Sequence, residues 1–237
     1  VANQKGGVGK TTTAVNLAAG LAQVGQRVLL VDLDPQGNAT MGSGVDKRQL
    51  ALSVYDVLID STPVHDAAVL AEPCGYHVLG ANRELAGAEI ELVSLPQREK
   101  RLKTSLAAVD ADYDFVLVDC PPSLSMLTLN GLCAAHGVVV PMQCEYFALE
   151  GVTDLVHTIK QVHANLNPDL EIIGLLRVCR VCPRDGGPCG RGQTPARSGK
   201  KTGKTACNAR CTCAMSYQKH SEICPDSDPA RLARRWP

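Results

Sequence analysis

The octapeptide KGGVGKTT at residues 5–12 constrains the fold and the chemistry of this chain more than any other stretch. A glycine-rich turn that leads into a helix exposes backbone N–H groups, which can bind phosphate oxygens. We expect Lys10 to reach the β- and γ-phosphates of a nucleotide and the Thr11 hydroxyl to hold Mg²⁺. Gln4 stands where the common pattern G-x-x-x-x-G-K-[ST] has glycine, so Lys5 at the front of the loop marks a variant of that pattern. The predicted nucleotide-binding residues are Gly6, Gly7, Val8, Gly9, Lys10, Thr11 and Thr12.

Two apolar segments that end in acidic residues accompany this turn. RVLLVDLD at residues 27–34 and YDFVLVD at residues 113–119 are typical of buried parallel strands. Asp32, Asp34 and Asp119 would then lie at the carboxyl ends of strands, where open α/β sheets bind their ligands. Asp119 fits the Walker B arrangement, in which a carboxylate holds Mg²⁺, usually through a water molecule.

With these motifs the chain resembles the ParA/MinD group of P-loop ATPases, which has the deviant Walker A motif KGGxGK[ST]. Within that group it is most similar to the ParA/Soj partition proteins. DPQGNAT at residues 34–40 resembles the first switch loop of the family, and DCPPSL followed by LTLN resembles the second. The resemblance implies that Lys5 crosses a dimer interface to the partner's nucleotide. It also implies that Asp34 positions or activates the attacking water and that Asp32 lies closer to the metal.

These motifs define the candidate site residues. The candidate catalytic residues are Lys5, Lys10 and Asp34, and the candidate metal ligands are Thr11, Asp32 and Asp119.

The pattern of the remaining residues up to 178 predicts an α/β fold, a mostly parallel twisted sheet with helices on both faces. Aromatic residues make up only 3% of the chain, and Val, Leu and Ala are abundant, as expected for such a sheet. We expect strands at VAN, RVLLVDLD, YHVLGA, YDFVLVD, GVVVPMQ and LEIIGLLRV, and helices at residues 11–24, SVYDVLID, HDAAVL, ELAGAEIELV, REKRLKTSLAAV, LTLNGLCAA and LEGVTDLVHTIKQVHANL. The chain lacks an initiator Met and opens inside its first strand, so we expect the domain to be truncated at its N-terminus.

Residues 179–237 depart from the resemblance. From Val178 onward the chain carries 12 Lys and Arg against 4 Asp and Glu, whereas residues 1–177 carry 12 against 20. Seven of the 11 cysteines also lie there. Because large aliphatic residues are few, this tail cannot offset its ordering entropy, and we expect it to be disordered. Three interpretations of the tail are open: a frameshift near codon 178, which we favour, a small zinc module, or a basic nucleic-acid-binding tail.

The resemblance implies a cytoplasmic, nucleoid-associated ATPase of chromosome or plasmid partition that uses ATP and Mg²⁺. It implies a homodimer with ATP, a ParB-type activator and non-specific DNA as partners, and no membrane. Alternatives are a MinD-like membrane-locating ATPase, an iron–sulfur carrier ATPase and an inactive truncated fragment. The family's DNA-binding and adenine-binding residues lie in the part that the tail replaces, so neither can be assigned here.

Overall fold

The computed structural model describes residues 1–72, 74–143, 148–178 and 216–219. The helices are α1 Lys10–Gln23, α2 Asn38–Gly42, α3 Val54–Ile59, α4 Val64–Ala67, α5 Leu85–Ser94, α6 Arg101–Ala107, α7 Met126–Ala134 and α8 Ala148–Asn165. The strands are β1 Val28–Asp32, β2 Ala68–Ala71, β3 Tyr76–Leu79, β4 Phe115–Asp119, β5 Gly137–Met142, β6 Glu171–Arg177 and β7 Ser216–Lys219.

The strands form two hydrogen-bonded groups, in the orders β2-β3-β1-β4 and β5-β6-β7. The β1–β3, β1–β4 and β5–β6 pairs are parallel, and the edge strands β2 and β7 are antiparallel to their neighbours. The first residues of the chain lie between the two groups. The Val1 amino group donates to the Val118 carbonyl in β4, and the Cys120 amide just beyond β4 donates to the Val1 carbonyl. The Ala2 amide donates to the Val139 carbonyl of β5. Residues 1–3 thus connect the two groups through backbone hydrogen bonds, although the strand predicted at VAN is not a regular strand in the structure.

Alternate residues of β1 enter two separate cores, because successive side chains of a strand point to opposite faces. Leu29 and Val31 pack with residues of α3, α5, α6, α7 and α8, whereas Val28 and Leu30 pack with Ala14 and Ala18 of α1 and with Ala39 of α2. All five residues of β1 are buried. The sheet is thus covered by helices on both faces, as the near-continuous apolar run predicts.

Two further local differences separate the prediction from the structure. HDAAVL was expected to be helical, but α4 contains only four residues and the chain continues directly as the edge strand β2. Alternation of exposed and buried residues in such a short segment is too weak to separate the two states. The short helix α2 was not predicted, because it lies within the segment that resembles a switch loop.

Most of the tail lies outside the described residues, and so do its predicted disorder and its possible zinc module. The exception is β7, where Ser216–Lys219 pairs with β6. Among the described residues no helix combines the length and the apolar character needed to cross a membrane.

Candidate functional site

The octapeptide forms a tight turn at the N-terminus of α1. Gly7 and Gly9 have positive φ angles of 72° and 92°, a backbone conformation that only glycine adopts without strain. A Cβ placed on Gly6 or Gly7 would have no atom within 4 Å, so the turn faces open space. Val8 is only 1% exposed and fixes the turn to the core from the other side.

The backbone amides of this turn are available to a ligand. The first N–H groups of a helix have no partner within the helix. The first hydrogen bond of α1 runs from the Thr13 amide to the Gly9 carbonyl. Among the described residues, none accepts a hydrogen bond from the amides of residues 6–12. An anion at this position would satisfy them and would lie at the positive end of the helix dipole.

The turn is held from behind by β5 and by the residue that follows β6. Asn3 accepts a hydrogen bond from the Lys5 amide (2.9 Å) and donates one to the Pro141 carbonyl (2.7 Å). Gln143 donates to the Gly7 carbonyl at 2.8 Å.

A methyl group of Val178 lies 3.2 Å from the position that a Cβ on Gly9 would occupy. The roles of Asn3, Gln143 and Val178 in holding the glycine turn could not be predicted from the sequence, because each depends on contacts between distant parts of the chain.

Asp32 and Asp119 lie side by side at the carboxyl ends of β1 and β4. They are register partners in a parallel ladder, so both side chains point to the same face of the sheet. Both residues are fully buried. Two carboxylates are thus brought together beneath the N-terminus of α1.

The carboxylate of Asp119 lies close to the Thr11 hydroxyl and the Lys10 ammonium. No donor among the described residues lies within normal hydrogen-bond geometry of either oxygen. Burial, with the neighbouring charge of Asp32, raises the pKa of Asp119 to about 6, while the nearby Thr11 hydroxyl and Lys10 ammonium act in the opposite direction. A buried carboxylate in this state is a site for a cation, because a cation would stabilise the charge that burial penalises.

Lys10 supplies one positive charge to this cluster. Its side chain is buried, its ammonium donates a hydrogen bond to the Lys5 carbonyl at 3.2 Å, and burial lowers its pKa. The carboxylates of Asp119 and Asp34 counteract that shift, which shows that both lie near the ammonium. The structure therefore brings Lys10 together with the acids of both strands.

Asp32 is engaged differently from Asp119. Its Oδ1 accepts a hydrogen bond from the Asp34 amide at 3.1 Å, and its Oδ2 accepts bonds from the amide and the hydroxyl of Thr40, both at 2.8 Å. Burial still raises the pKa of Asp32, against these bonds. Asp32 thus supports the loop of residues 34–40, and its predicted role as a metal ligand stays a prediction.

A second concavity lies at the opposite ends of the strands and does not compete with this site. It has a volume of about 380 Å³, and its lining includes Arg27, His65 and Asp112. Arg27 is paired with Asp114, holding the pKa of that carboxyl at about 2, and His65 lies 3.2 Å from Asp112. Arg27, His65 and Asp112 already have protein partners there, in contrast to the amides of the glycine turn.

Comparison with known proteins agrees with this geometry. The model of a family described as an AAA domain matches residues 1–172. The sporulation initiation inhibitor protein Soj of Bacillus subtilis is 53% identical over 176 residues, which cover 74% of this chain and 70% of that protein. The chromosome partitioning protein ParA of Caulobacter vibrioides is 53% identical over 178 residues, which cover 74% of this chain and 67% of that protein. The chain belongs to the ParA/Soj family of P-loop ATPases.

Solved structures similar to this ParA/Soj family member include a crystal structure from Mycobacterium smegmatis. It is named cobyrinic acid a,c-diamide synthase with bound ADP and magnesium. It is 50% identical, with a TM-score of 0.72, and the match covers 74% of this chain and 71% of that one. The predicted family and fold class are therefore confirmed, and with them the class of enzyme, an ATPase. The roles assigned to individual site residues stay predictions.

Proposed function

We propose that this chain binds Mg²⁺ and ATP at the glycine turn and hydrolyses the ATP as the switch of a chromosome or plasmid partition system. The observation that carries the proposal is the buried Asp119 carboxylate, which lacks a hydrogen-bond donor among the described residues and lies beside Lys10 and the open turn. A buried charge without a partner destabilises the folded protein when no ligand is bound. A bound cation with its phosphates would satisfy that charge.

The backbone amides of residues 6–12 bind phosphate oxygens in this proposal. Peptide dipoles and Lys10 supply positive charge to the β- and γ-phosphates, and Gln143 keeps the Gly7 carbonyl turned away from them. Because a peptide unit is planar and trans, fixing the Gly7 carbonyl outward directs the Val8 amide inward. The turn thus enters the reaction already arranged for its ligand.

Asp34 is proposed to position the attacking water. It is half-buried, its backbone is tied to Asp32, and its carboxylate lies near Lys10. Phosphoryl transfer depends on placement and charge stabilisation more than on covalent chemistry, so one carboxylate near the attacking water is sufficient.

Thr11, Asp119 and Asp32 are the residues that would hold the magnesium ion. The oxygen donors and the unsatisfied carboxylate fit a hard divalent cation, which prefers oxygen ligands. When bound, the ion neutralises the negative charge that develops on the phosphates.

Partition is the cellular role that the relatives favour. Several curated relatives are named as chromosome-partitioning proteins, at identities equal to or above that of the Mycobacterium structure, whose name states a different activity. We accordingly propose an ATP-dependent homodimer in which Lys5 reaches the partner's nucleotide, with a ParB-type activator and non-specific DNA as partners. We also propose a cytoplasmic, nucleoid-associated location.

The test of the proposed function compares the parent with Lys10→Ala, Asp34→Ala and the control Lys103→Ala, a change of an exposed lysine on α6. We expect Lys10→Ala to abolish Mg·ATP binding measured by calorimetry. Asp34→Ala is expected to retain binding but lose phosphate release, and Lys103→Ala should match the parent in both assays. Turnover by Asp34→Ala at the parental rate would contradict the role of Asp34, and absence of Mg·ATP binding to the parent would overturn the function.

Dimerisation is tested by light scattering of the Asp34→Ala protein, in which ATP persists. We expect its mass to double with Mg·ATP but not with Mg·ADP, and an added Lys5→Ala change should prevent the doubling. A nucleotide-independent mass would count against the proposed switch.

A further inference from the structure

Thr40 connects the two strand ends that flank the predicted switch loop. Its side chain is fully buried. The hydroxyl donates a hydrogen bond to Asp32 Oδ2 (2.8 Å) and accepts one from the Ala81 amide (3.0 Å). One oxygen atom thus joins the end of β1 to Ala81, the second residue beyond β3.

Asp32 extends this connection to Asp34. Its other carboxylate oxygen accepts the hydrogen bond from the Asp34 amide. The hydrogen bonds therefore run from Ala81 through Thr40 and Asp32 to the backbone of Asp34, and both side chains that accept them are buried. A displacement of Thr40 or Asp32 would be passed to Asp34 directly.

Close packing on the same side restricts the loop further. A Cβ on Gly37 would lie 2.6 Å from the Ala81 carbonyl oxygen, and a Cβ on Gly80 would lie 3.0 Å from the Thr40 methyl carbon. The backbone on either side of Thr40 consequently has little room to shift while the hydroxyl bonds are intact. None of these contacts involves the glycine turn of residues 5–12.

We propose that Thr40 is a positioning residue for ATP hydrolysis, whose hydroxyl ties the Asp34 loop to the end of β3 and so fixes the place of the attacking water. This inference rests on the proposed function and adds a buried residue whose hydrogen bonds tie Asp32 to Ala81. It separates two tasks in the site. The glycine turn determines affinity for the nucleotide, and the Asp32–Thr40–Ala81 connection determines the rate of the chemical step.

The decisive pair of variants is Thr40→Val and Thr40→Ser. Valine has nearly the shape of threonine but cannot donate to Asp32 or accept from the Ala81 amide, whereas serine keeps the hydroxyl and loses only the methyl group. We expect Thr40→Val to lower kcat by about 10- to 100-fold, since small displacements of a positioned group are costly to the rate. Affinity for ATP measured without Mg²⁺ should stay within about twofold of the parent, because the glycine turn is untouched. Thr40→Ser should retain kcat within about threefold.

A purely structural role gives a different pattern. Thr40→Val would then lose affinity and kcat together, or Thr40→Ser would be as slow as Thr40→Val, and either result overturns the inference. Should the valine protein fail to fold, Thr40→Ala removes the same hydroxyl with a smaller side chain and is judged by the same criteria. Amide hydrogen exchange provides an independent readout, in which the Ala81 amide exchanges faster in the hydroxyl-free variants and not in Thr40→Ser.

The inference and the proposed function fail in distinguishable ways. If the parent does not hydrolyse ATP, both are wrong. If the parent hydrolyses ATP and Thr40→Val matches its kcat within about twofold, only the role of Thr40 is wrong.

Discussion

Asp119 is a carboxylate that folding buries beside Asp32, and no donor in the described part of the chain satisfies it. Burial raises its pKa to about 6 from a usual value of 3.8. Between these two values the folded protein binds a proton that the unfolded chain has already released, so the free energy of unfolding falls as pH rises. The loss in the free energy of unfolding is fully present above pH 6 and vanishes below the pKa that Asp119 has in the unfolded chain.

We predict that the nucleotide-free protein gains about 1 kcal/mol of stability from Asp119 when the pH is lowered from 7 to 5. Urea unfolding at both pH values, for the parent and for Asp119→Asn, measures this contribution as the difference between the two pH dependences. The asparagine is a close match in shape and cannot titrate, so the groups that do not interact with Asp119 cancel. Equal pH dependences of the two proteins would show that Asp119 is not penalised by burial.

The same carboxylate links stability to function. A cation bound at Asp119 would stabilise the charged form that the ligand-free protein disfavours. Cation binding and folding stability therefore both depend on this carboxylate. Sequence reasoning placed this residue at the end of a strand beside the glycine turn. It could not reveal that Asp119 is unsatisfied while Asp32 accepts three hydrogen bonds, because that difference depends on Thr40 and on the path of α2.

At the scale of elements, α6 begins without a cap of its own and takes one from α7. The residue before it, Lys100, caps no amide with its side chain. Instead the buried Asn130 accepts a hydrogen bond from the Leu102 amide and donates to the Arg98 carbonyl. Two helices are thereby joined through backbone groups that would otherwise be buried without partners.

We predict that Asn130→Leu lowers the free energy of unfolding by about 2–4 kcal/mol, because it leaves a buried amide and a carbonyl unsatisfied. Asn165→Leu is the matched control, since Asn165 is exposed on α8 and bonds only to the Gln161 carbonyl one turn earlier. That change should cost no more than about 0.5 kcal/mol. Urea midpoints give both values, and similar losses for the two variants would refute the capping role.

Elements with a long periodic or apolar pattern were predicted well, and short ones were not. β1 and α1 follow from the apolar run and the helical spacing beside the glycine turn. HDAAVL was assigned to a helix because four apolar or small residues fit either period, and tertiary pairing with β3 decides the strand. Arg101 shows the same dependence on tertiary contacts, because it donates hydrogen bonds to the Ile59 carbonyl and the Ser61 hydroxyl at the end of α3.

At the scale of the whole molecule, the glycine turn is the place where both halves of the sheet meet. Asn3 and Gln143 join it to β5, Val178 beyond β6 packs against Gly9, and Asp119 of β4 lies beneath it. The family motif was readable from eight consecutive residues, but this convergence was not, because it depends on contacts more than 100 positions apart. A ligand at the turn would contact groups held by both halves of the sheet.

We therefore predict that Mg·ATP stabilises the described domain as one unit. At about 100 times its Kd a ligand that binds only the folded state adds about 2.7 kcal/mol, which corresponds to a rise in Tm of roughly 5–10 °C for a domain of this size. Thermal unfolding should keep a single transition, because no part of the sheet can melt while the turn is held from both sides. Lys10→Ala should show no shift, because it lacks the ammonium that binds the phosphates. A shift confined to one of two resolved transitions would mean that the halves of the sheet unfold separately and that the turn does not couple them.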